Sequence, residues 1–340
     1  MSKGGEETFH QRYEEAIENI KPEFGRRYTM IIGGKNIKSS ETFVHISPID
    51  TRIVLAYFQC GTAKHTENAI KVAKKAFESW GKTDYNKRIK ICRNAVDIMI
   101  RRKFELAALI VTENADLDKA IEGILKAAFS YSGQKCSACS RVYVQKRIKD
   151  KFVERLVEKT KNLPIGNPLE SNTFMGPLIN SNAYKNYQKY IKLAFRDGMV
   201  LAGGGFIKKD DNFKYGYYVE PTIVDGLPKN HRLFREELFM PILCITDYDD
   251  FDKAIELCNQ SDYGLTAGIY SNKKEEIDKF LDNIESGVIY VNRNISATTG
   301  AMVGCQSFGG WKDSGTTGKG TGGPYYLTQF MREQSQTYVV

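Results

Sequence analysis

Phe129-Ser130-Tyr131-Ser132-Gly133-Gln134-Lys135-Cys136-Ser137-Ala138-Cys139-Ser140-Arg141 sets one cysteine, Cys136, among small, flexible and polar residues, between an apolar helix-like run and a short β-branched run. A thiolate nucleophile needs close substrate approach, backbone N–H groups aimed at a developing oxyanion, and nearby positive charge that favours ionisation. Gly133, the amides that follow it and Lys135 can supply these conditions. Spacing alone leaves the opposite reading open, a loop holding a buried thiol, because cysteine is also a common core residue.

Downstream of this loop, strand and helix patterns alternate. Period-two and period-3.6 runs predict strands over 141–145, 199–202, 217–224, 241–247, 266–270 and 287–291, and helices over 149–162, 181–196, 250–259 and 273–284. Such alternation argues for an α/β sheet with covered faces. Upstream, an Asp caps a helix that runs up to the loop, and 87–113 reads as a long helix after a shorter one over 68–80. Nearer the start, 28–32 and 42–46 read as strands around Gly33-Gly34, with an amphipathic helix over 10–20 before them. The tail, 334–340, is strand-like.

The 340 residues are 41% apolar and 11% aromatic, enough for a sizeable core and two ordinary domains. The net charge of +8 is spread over segments such as 147–161 where basic and acidic residues alternate, which reads as a solvated face rather than a nucleic-acid footprint. Seven scattered cysteines suit a reducing compartment, and Cys136-x-x-Cys139 without a second pair or clustered histidines does not make a metal site. No apolar run is long enough to cross a bilayer, and the acidic first residues are unlike a signal peptide, so no membrane partner and a cytoplasmic location are expected.

Gly133-Gln134-Lys135-Cys136-Ser137-Ala138-Cys139-Ser140-Arg141 resembles the nucleophile loop of the aldehyde dehydrogenase superfamily, and the Lys-Cys-Ser-Ala-Cys variant is most similar to its delta-1-pyrroline-5-carboxylate (glutamate γ-semialdehyde) dehydrogenases. The resemblance implies an α/β aldehyde dehydrogenase-like fold and NAD-dependent oxidation of glutamate γ-semialdehyde to glutamate, in proline degradation. It also implies a small aldehyde carrying an α-amino acid group as substrate, and a homo-oligomer. Against that family a large internal block is absent: there is no Gly-Ser-Thr-x-x-Gly turn, no Pro-Trp-Asn and no Glu-Leu-Gly-Gly-Lys. The expected organisation is an N-terminal arm with a remnant of the NAD-binding domain over 1–114, a retained catalytic domain over 115–324, and an oligomerisation strand over 325–340. The dinucleotide-binding domain is largely deleted.

Carried over residue by residue, the resemblance makes Cys136 the nucleophile, passing through a thiohemiacetal and a thioester. Arg235-Glu236-Glu237-Leu238-Phe239-Met240-Pro241 resembles the family's Glu-Glu-Ile-Phe-Gly-Pro motif, so Glu237 would hold the nicotinamide ribose and Phe239 would pack at the nicotinamide, with Met240 in place of the usual glycine. Thr298-Thr299-Gly300-Ala301 resembles the loop that anchors the substrate's α-carboxylate through backbone amides; Gly300, Ala301, Ser137 and Lys135 would form the substrate site, with Phe308 as a pocket wall. The family's oxyanion asparagine and general-base glutamate belong to the absent block. A second reading follows: an impaired homologue that acts as a binding or interaction protein, or that needs a second chain.

Overall fold

The computed structural model describes residues 13–84, 86–88, 108–208, 213–294, 306–315, 319–331 and 333–339. The chain divides into two compact units, one formed by 1–103 with 169–171 and 208–217, the other by 104–168, 172–207 and 218–340.

In the first unit residues 13–20 are helical. Strands β1 (Arg26–Arg27), β2 (Met30–Ile32), β3 (Lys35–Ile37), β4 (Thr42–Ile46) and β5 (Val54–Gln59) follow. They build a three-stranded sheet in the order β1-β5-β4 and a separate β2-β3 hairpin. The hairpin turns at Gly33 (φ 60°) and Gly34 (φ 74°), a pair of left-handed conformations that glycine adopts without a Cβ penalty and that match the twist of the flanking strands. Helix α1 (Ala63–Trp80) contains the run predicted over 68–80 and starts earlier, because Thr62 and His65 form a reciprocal cap. No residue of α1 is buried, and Ile70 and Phe77 are exposed.

The second unit holds a seven-stranded sheet. Its elements in chain order are β6 (Ala108–Val111), α2 (Leu117–Phe129), β7 (Arg141–Gln145), α3 (Lys149–Lys161), α4 (Ser181–Asp197), β8 (Met199–Ala202), β9 (Thr222–Asp225), α5 (Arg232–Arg235), β10 (Ile242–Tyr248), α6 (Phe251–Asn259), β11 (Tyr263–Gly264), β12 (Thr266–Tyr270), α7 (Lys274–Asn283), β13 (Val288–Val291) and β14 (Trp311–Lys312). The strand order is β13-β12-β6-β7-β10-β9-β8, parallel throughout except for the antiparallel β8-β9 pair. Side chains on these strands alternate between two cores. Leu109, Val111, Val142 and Val144 pack with α2 and α3, whereas Ile110 and Tyr143 pack with α6 and α7.

One expectation is corrected here. Ala108–Val111, read as the end of a helix over 87–113, is a central strand paired with β7 and β12. A short apolar run buried on both faces carries no period that separates strand from helix, and its partners lie far away in sequence. The seven-stranded sheet thus takes its β6 from before residue 115. Residues 333–339 form no strand within the chain; a strand exists only where a neighbour completes its ladder. A 3₁₀ turn, Tyr326–Phe330, precedes it.

Candidate active site

Helix α2 delivers the cysteine loop. Asp116 caps its start by accepting from the Lys119 N–H, as expected, and its apolar face is anchored in the core by Ile121, Ile124 and Phe129. Directly after it, Tyr131 (φ 60°), Ser132 (φ 58°) and Gly133 (φ 65°) are all left-handed, which reverses the chain within three residues. Two of these carry side chains, and such conformations persist only where surrounding contacts hold them. Here the Ser132 hydroxyl donates to the Gly176 carbonyl at 2.7 Å, and the Gln134 amide side chain accepts from the Ile179 N–H at 2.7 Å. Ala138 N–H then closes a turn on the Lys135 carbonyl (3.1 Å), and Cys139 N–H donates back to Ala127 on α2 (2.9 Å), so Cys136 stands at the tip of a loop pinned on both sides.

Gly133 explains how the loop meets its neighbour. A Cβ at that position would lie 2.5 Å from the Met240 carbonyl oxygen, so only glycine lets the backbone of 236–241 approach the nucleophile turn. That approaching segment carries Glu237 and Phe239, and Phe239 is itself left-handed (φ 58°) and exposed. The Met240 side chain is buried.

Cys136 lines two cavities. The smaller, of about 100 Å³, is shared with Arg141, Glu237, Phe239, Tyr263, Ser286 and other residues, and the larger, of about 600 Å³, with Glu237, Tyr263, Phe308, Asp313, Lys319, Tyr326 and Phe330 among others. Cys136, Glu237, Tyr263 and Ser286 all precede parallel strands, β7, β10, β12 and β13, so the site gathers at the amino ends of the sheet. The predicted residues Cys136, Glu237, Phe239 and Phe308 are thus brought together.

Lys135 and Ser137 sit differently. The Lys135 side chain is buried and lines neither cavity; its ammonium donates to Ser130 Oγ at 2.7 Å, and burial pulls its pKa down to about 7. The positive charge expected beside the thiol is therefore only partly present near neutral pH. Ser137 is fully buried, and its hydroxyl has no hydrogen-bond partner among the described residues. Gly300 and Ala301 lie outside the described residues.

The thiols divide by environment. Burial pushes Cys139, Cys244 and Cys258 up to about 12, which keeps them protonated and unreactive. Cys136 and Cys60 are the half-buried ones among the five described, and of these two Cys136 lines the cavities, whose walls also include the buried Cys139 and Cys258. Desolvation also raises the Glu237 carboxyl above its ordinary range. No cluster of three metal-binding side chains occurs among the described residues, and none of their helices is long and apolar enough to cross a membrane. Tyr263 and Ser286 in the cavity walls escaped sequence reading, because each joins the site only through the sheet's strand order.

The aldehyde dehydrogenase family profile matches residues 36–114 and 107–336. The chain belongs to the aldehyde dehydrogenase family. The stretch 107–114 is matched twice, and in the structure Ala108–Val111 serves the second match, as part of the catalytic sheet. A 1-pyrroline-5-carboxylate dehydrogenase of Staphylococcus haemolyticus is 41% identical over 227 residues, which is 67% of this chain and 42% of that protein. The chain thus spans about two fifths of the length of the curated relatives it matches. The NAD-bound 1-pyrroline-5-carboxylate dehydrogenase structure from Thermus shares the fold with a TM-score of 0.85 at 22% identity, covering 94% of each chain. A betaine aldehyde dehydrogenase double mutant from Staphylococcus aureus, solved with NAD+, matches at a TM-score of 0.62 and 27% identity, over 67% of this chain and 44% of that one.

Proposed function

We propose that this aldehyde dehydrogenase family member carries the nucleophile and substrate half of a site that oxidises L-glutamate γ-semialdehyde (delta-1-pyrroline-5-carboxylate) to glutamate with NAD, the oxidation that proline degradation requires. The observation that carries this reading is the position of Cys136, at the wall shared by one cavity bearing Glu237 and Phe239 and another bearing Phe308. The Cys136 thiolate attacks the aldehyde carbon to give a thiohemiacetal, and after oxidation the acyl group remains on sulfur as a thioester that water releases. Ser137, whose buried hydroxyl beside the nucleophile has no hydrogen-bond partner among the described residues, suits a substrate carboxylate, with Gly300 and Ala301 as its backbone donors.

NAD supplies a hydride acceptor when it is bound. The residues present fit its nicotinamide-ribose end: the Glu237 carboxylate has no protein partner among the described residues and can accept from two ribose hydroxyls, while the exposed Phe239 ring offers a flat wall. Carboxylates that line the cavities with Cys136 are Glu236, held by Arg232, together with Glu237 and Asp313; a water-activating base drawn from this chain's described residues comes from these. The exposed tail, with Tyr338 and Val339, is the segment proposed to pair with a second copy in a homo-oligomer.

A second reading, an impaired homologue that binds a partner or needs a second chain, is favoured by α1, which has no buried residue. Calorimetric titration with NAD separates the two. Binding at about micromolar Kd with NADH formation from glutamate semialdehyde is the result expected of a self-sufficient enzyme, whereas millimolar or absent binding removes that reading and leaves the second.

A further inference from the structure

Helix α2 carries the nucleophile loop at its end, and a second segment of the proposed site leaves the sheet against its side. Strand β13 ends at Val291, and Gly300 and Ala301 belong to the residues that follow Asn294 in the chain. Between strand and substrate segment, 292–294 form a stalk that is fastened at every residue. Asn292 is left-handed (φ 52°), a conformation asparagine tolerates better than most side chains, and its amide accepts from the Ser271 N–H at 3.0 Å while donating to the Ser271 carbonyl at 2.7 Å. The Arg293 carbonyl accepts from the Tyr270 hydroxyl at 2.5 Å, and the Asn294 carbonyl accepts from the Lys126 ammonium of α2 at 3.2 Å.

Gly123, one turn before Lys126, is an independent sign that this contact matters. Glycine in a helix interior is unfavourable, yet here it sits in the middle of α2. A Cβ at that position would lie 1.9 Å from the Tyr270 hydroxyl oxygen and 2.7 Å from the Arg293 carbonyl oxygen, so the missing side chain is what lets the stalk lie directly on the helix. Lys126 is also bonded to the other half of the site. Its carbonyl accepts from the Ser130 hydroxyl, which in turn accepts from the buried Lys135 ammonium next to Cys136 in the chain. The stretch 123–126 thus holds the nucleophile loop at one end and the stalk along its flank.

We infer that Lys126 and Tyr270 are positioning residues that fix the 292–294 stalk relative to Cys136, and so set the spacing between the nucleophile and the group that receives the substrate's carboxylate. The inference rests on the proposed function, which gives that carboxylate to Gly300 and Ala301. Neither positioning residue lines a cavity with Cys136, so neither acts on the reacting atoms directly. Their effect falls on substrates held at both ends: a flexible chain reacts fast only when its carbonyl and its far terminus are both placed, and a substrate without a carboxylate has no far end to place.

A matched pair of esters that acylate the full chain without NAD tests this. Mono-4-nitrophenyl glutarate ends in a carboxylate, and 4-nitrophenyl pentanoate has an acyl chain of the same length that ends in a methyl group. With either ester the Cys136 thiolate displaces 4-nitrophenolate, read by its absorbance above the uncatalysed rate, and keeps the acyl group as a thioester that water releases. The wild type is expected to favour the glutarate in kcat/KM. Lys126→Met lowers kcat/KM for the glutarate by about threefold to tenfold and leaves the pentanoate within about twofold, and Lys126→Arg restores the preference. An equal fall for both esters marks a general loosening of the loop, and an unchanged preference marks no coupling; either result overturns the inference. Should Lys126→Met fail to fold, Tyr270→Phe decides by the same ratio: a loss confined to the glutarate supports the role, and an unchanged ratio rejects it. A wild type that shows no preference for the glutarate removes the carboxylate reading itself and this inference with it, so the two failures are told apart before any variant is made.

Discussion

Cys136→Ala is expected to remove turnover of aldehydes and activated esters, by at least about a thousandfold, while leaving the fold in place. The size of the effect follows from covalent catalysis: without sulfur there is no atom to form the bond to the carbonyl carbon, and the other thiols of the cavity walls, Cys139 and Cys258, are buried and kept protonated. Cys139, the nearest in sequence, is buried and held near a pKa of about 12. The fold should be indifferent, because Cys136 lines cavities instead of packing in either core, and alanine keeps its Cβ. A stability change under about 1 kcal/mol by thermal unfolding, with unchanged circular dichroism, accompanies the loss. Turnover that survives the substitution assigns the chemistry to another group.

Gly133→Ala should have the second-largest effect, on stability and activity together. The new Cβ would meet the Met240 carbonyl carbon and oxygen at 2.7 and 2.5 Å, and the residue would have to hold φ 65°. Overpacking against backbone and left-handed strain together cost about 2–5 kcal/mol. Relief requires the nucleophile turn to move away from the segment that carries Glu237 and Phe239, and a shift of about 1 Å between reacting groups costs about a hundredfold in rate. Gly25→Ala is the matched control: its φ is 76° but nothing lies within 4 Å of a new Cβ, so only the strain, about 1–2 kcal/mol, remains. Equal melting temperatures for the two variants would show that the Gly133–Met240 approach has no energetic weight.

Much of the catalytic sheet was legible because its strands and helices keep their own periods. The run predicted over 266–270 is strand β12, and the predicted 149–162 helix differs from α3 by one residue. β6 was not legible. Leu109, Ile110 and Val111 are fully buried on two faces, and such a run has no alternation to read. At the site, the cysteine loop and the Glu237-Phe239 segment were visible through their resemblance to one family. Their contact, Gly133 against Met240, joins residues far apart in the chain and had no local signal. Lys135 misled for a related reason: its sequence position adjoins the nucleophile, but its ammonium turns inward to Ser130. Sequence adjacency fixes where a Cα stands, and packing decides where a long side chain goes.

The most direct measurement is peptide mapping by mass spectrometry after the full chain has reacted with an activated acyl ester, a reagent that needs neither NAD nor a hydride acceptor. The acyl group is expected on Cys136, at about one per chain, and absent from Cys139, Cys244 and Cys258, which burial keeps protonated. An acyl group on Cys60 or a buried thiol, with Cys136 unmodified, would contradict Cys136 as the nucleophile around which the site is built.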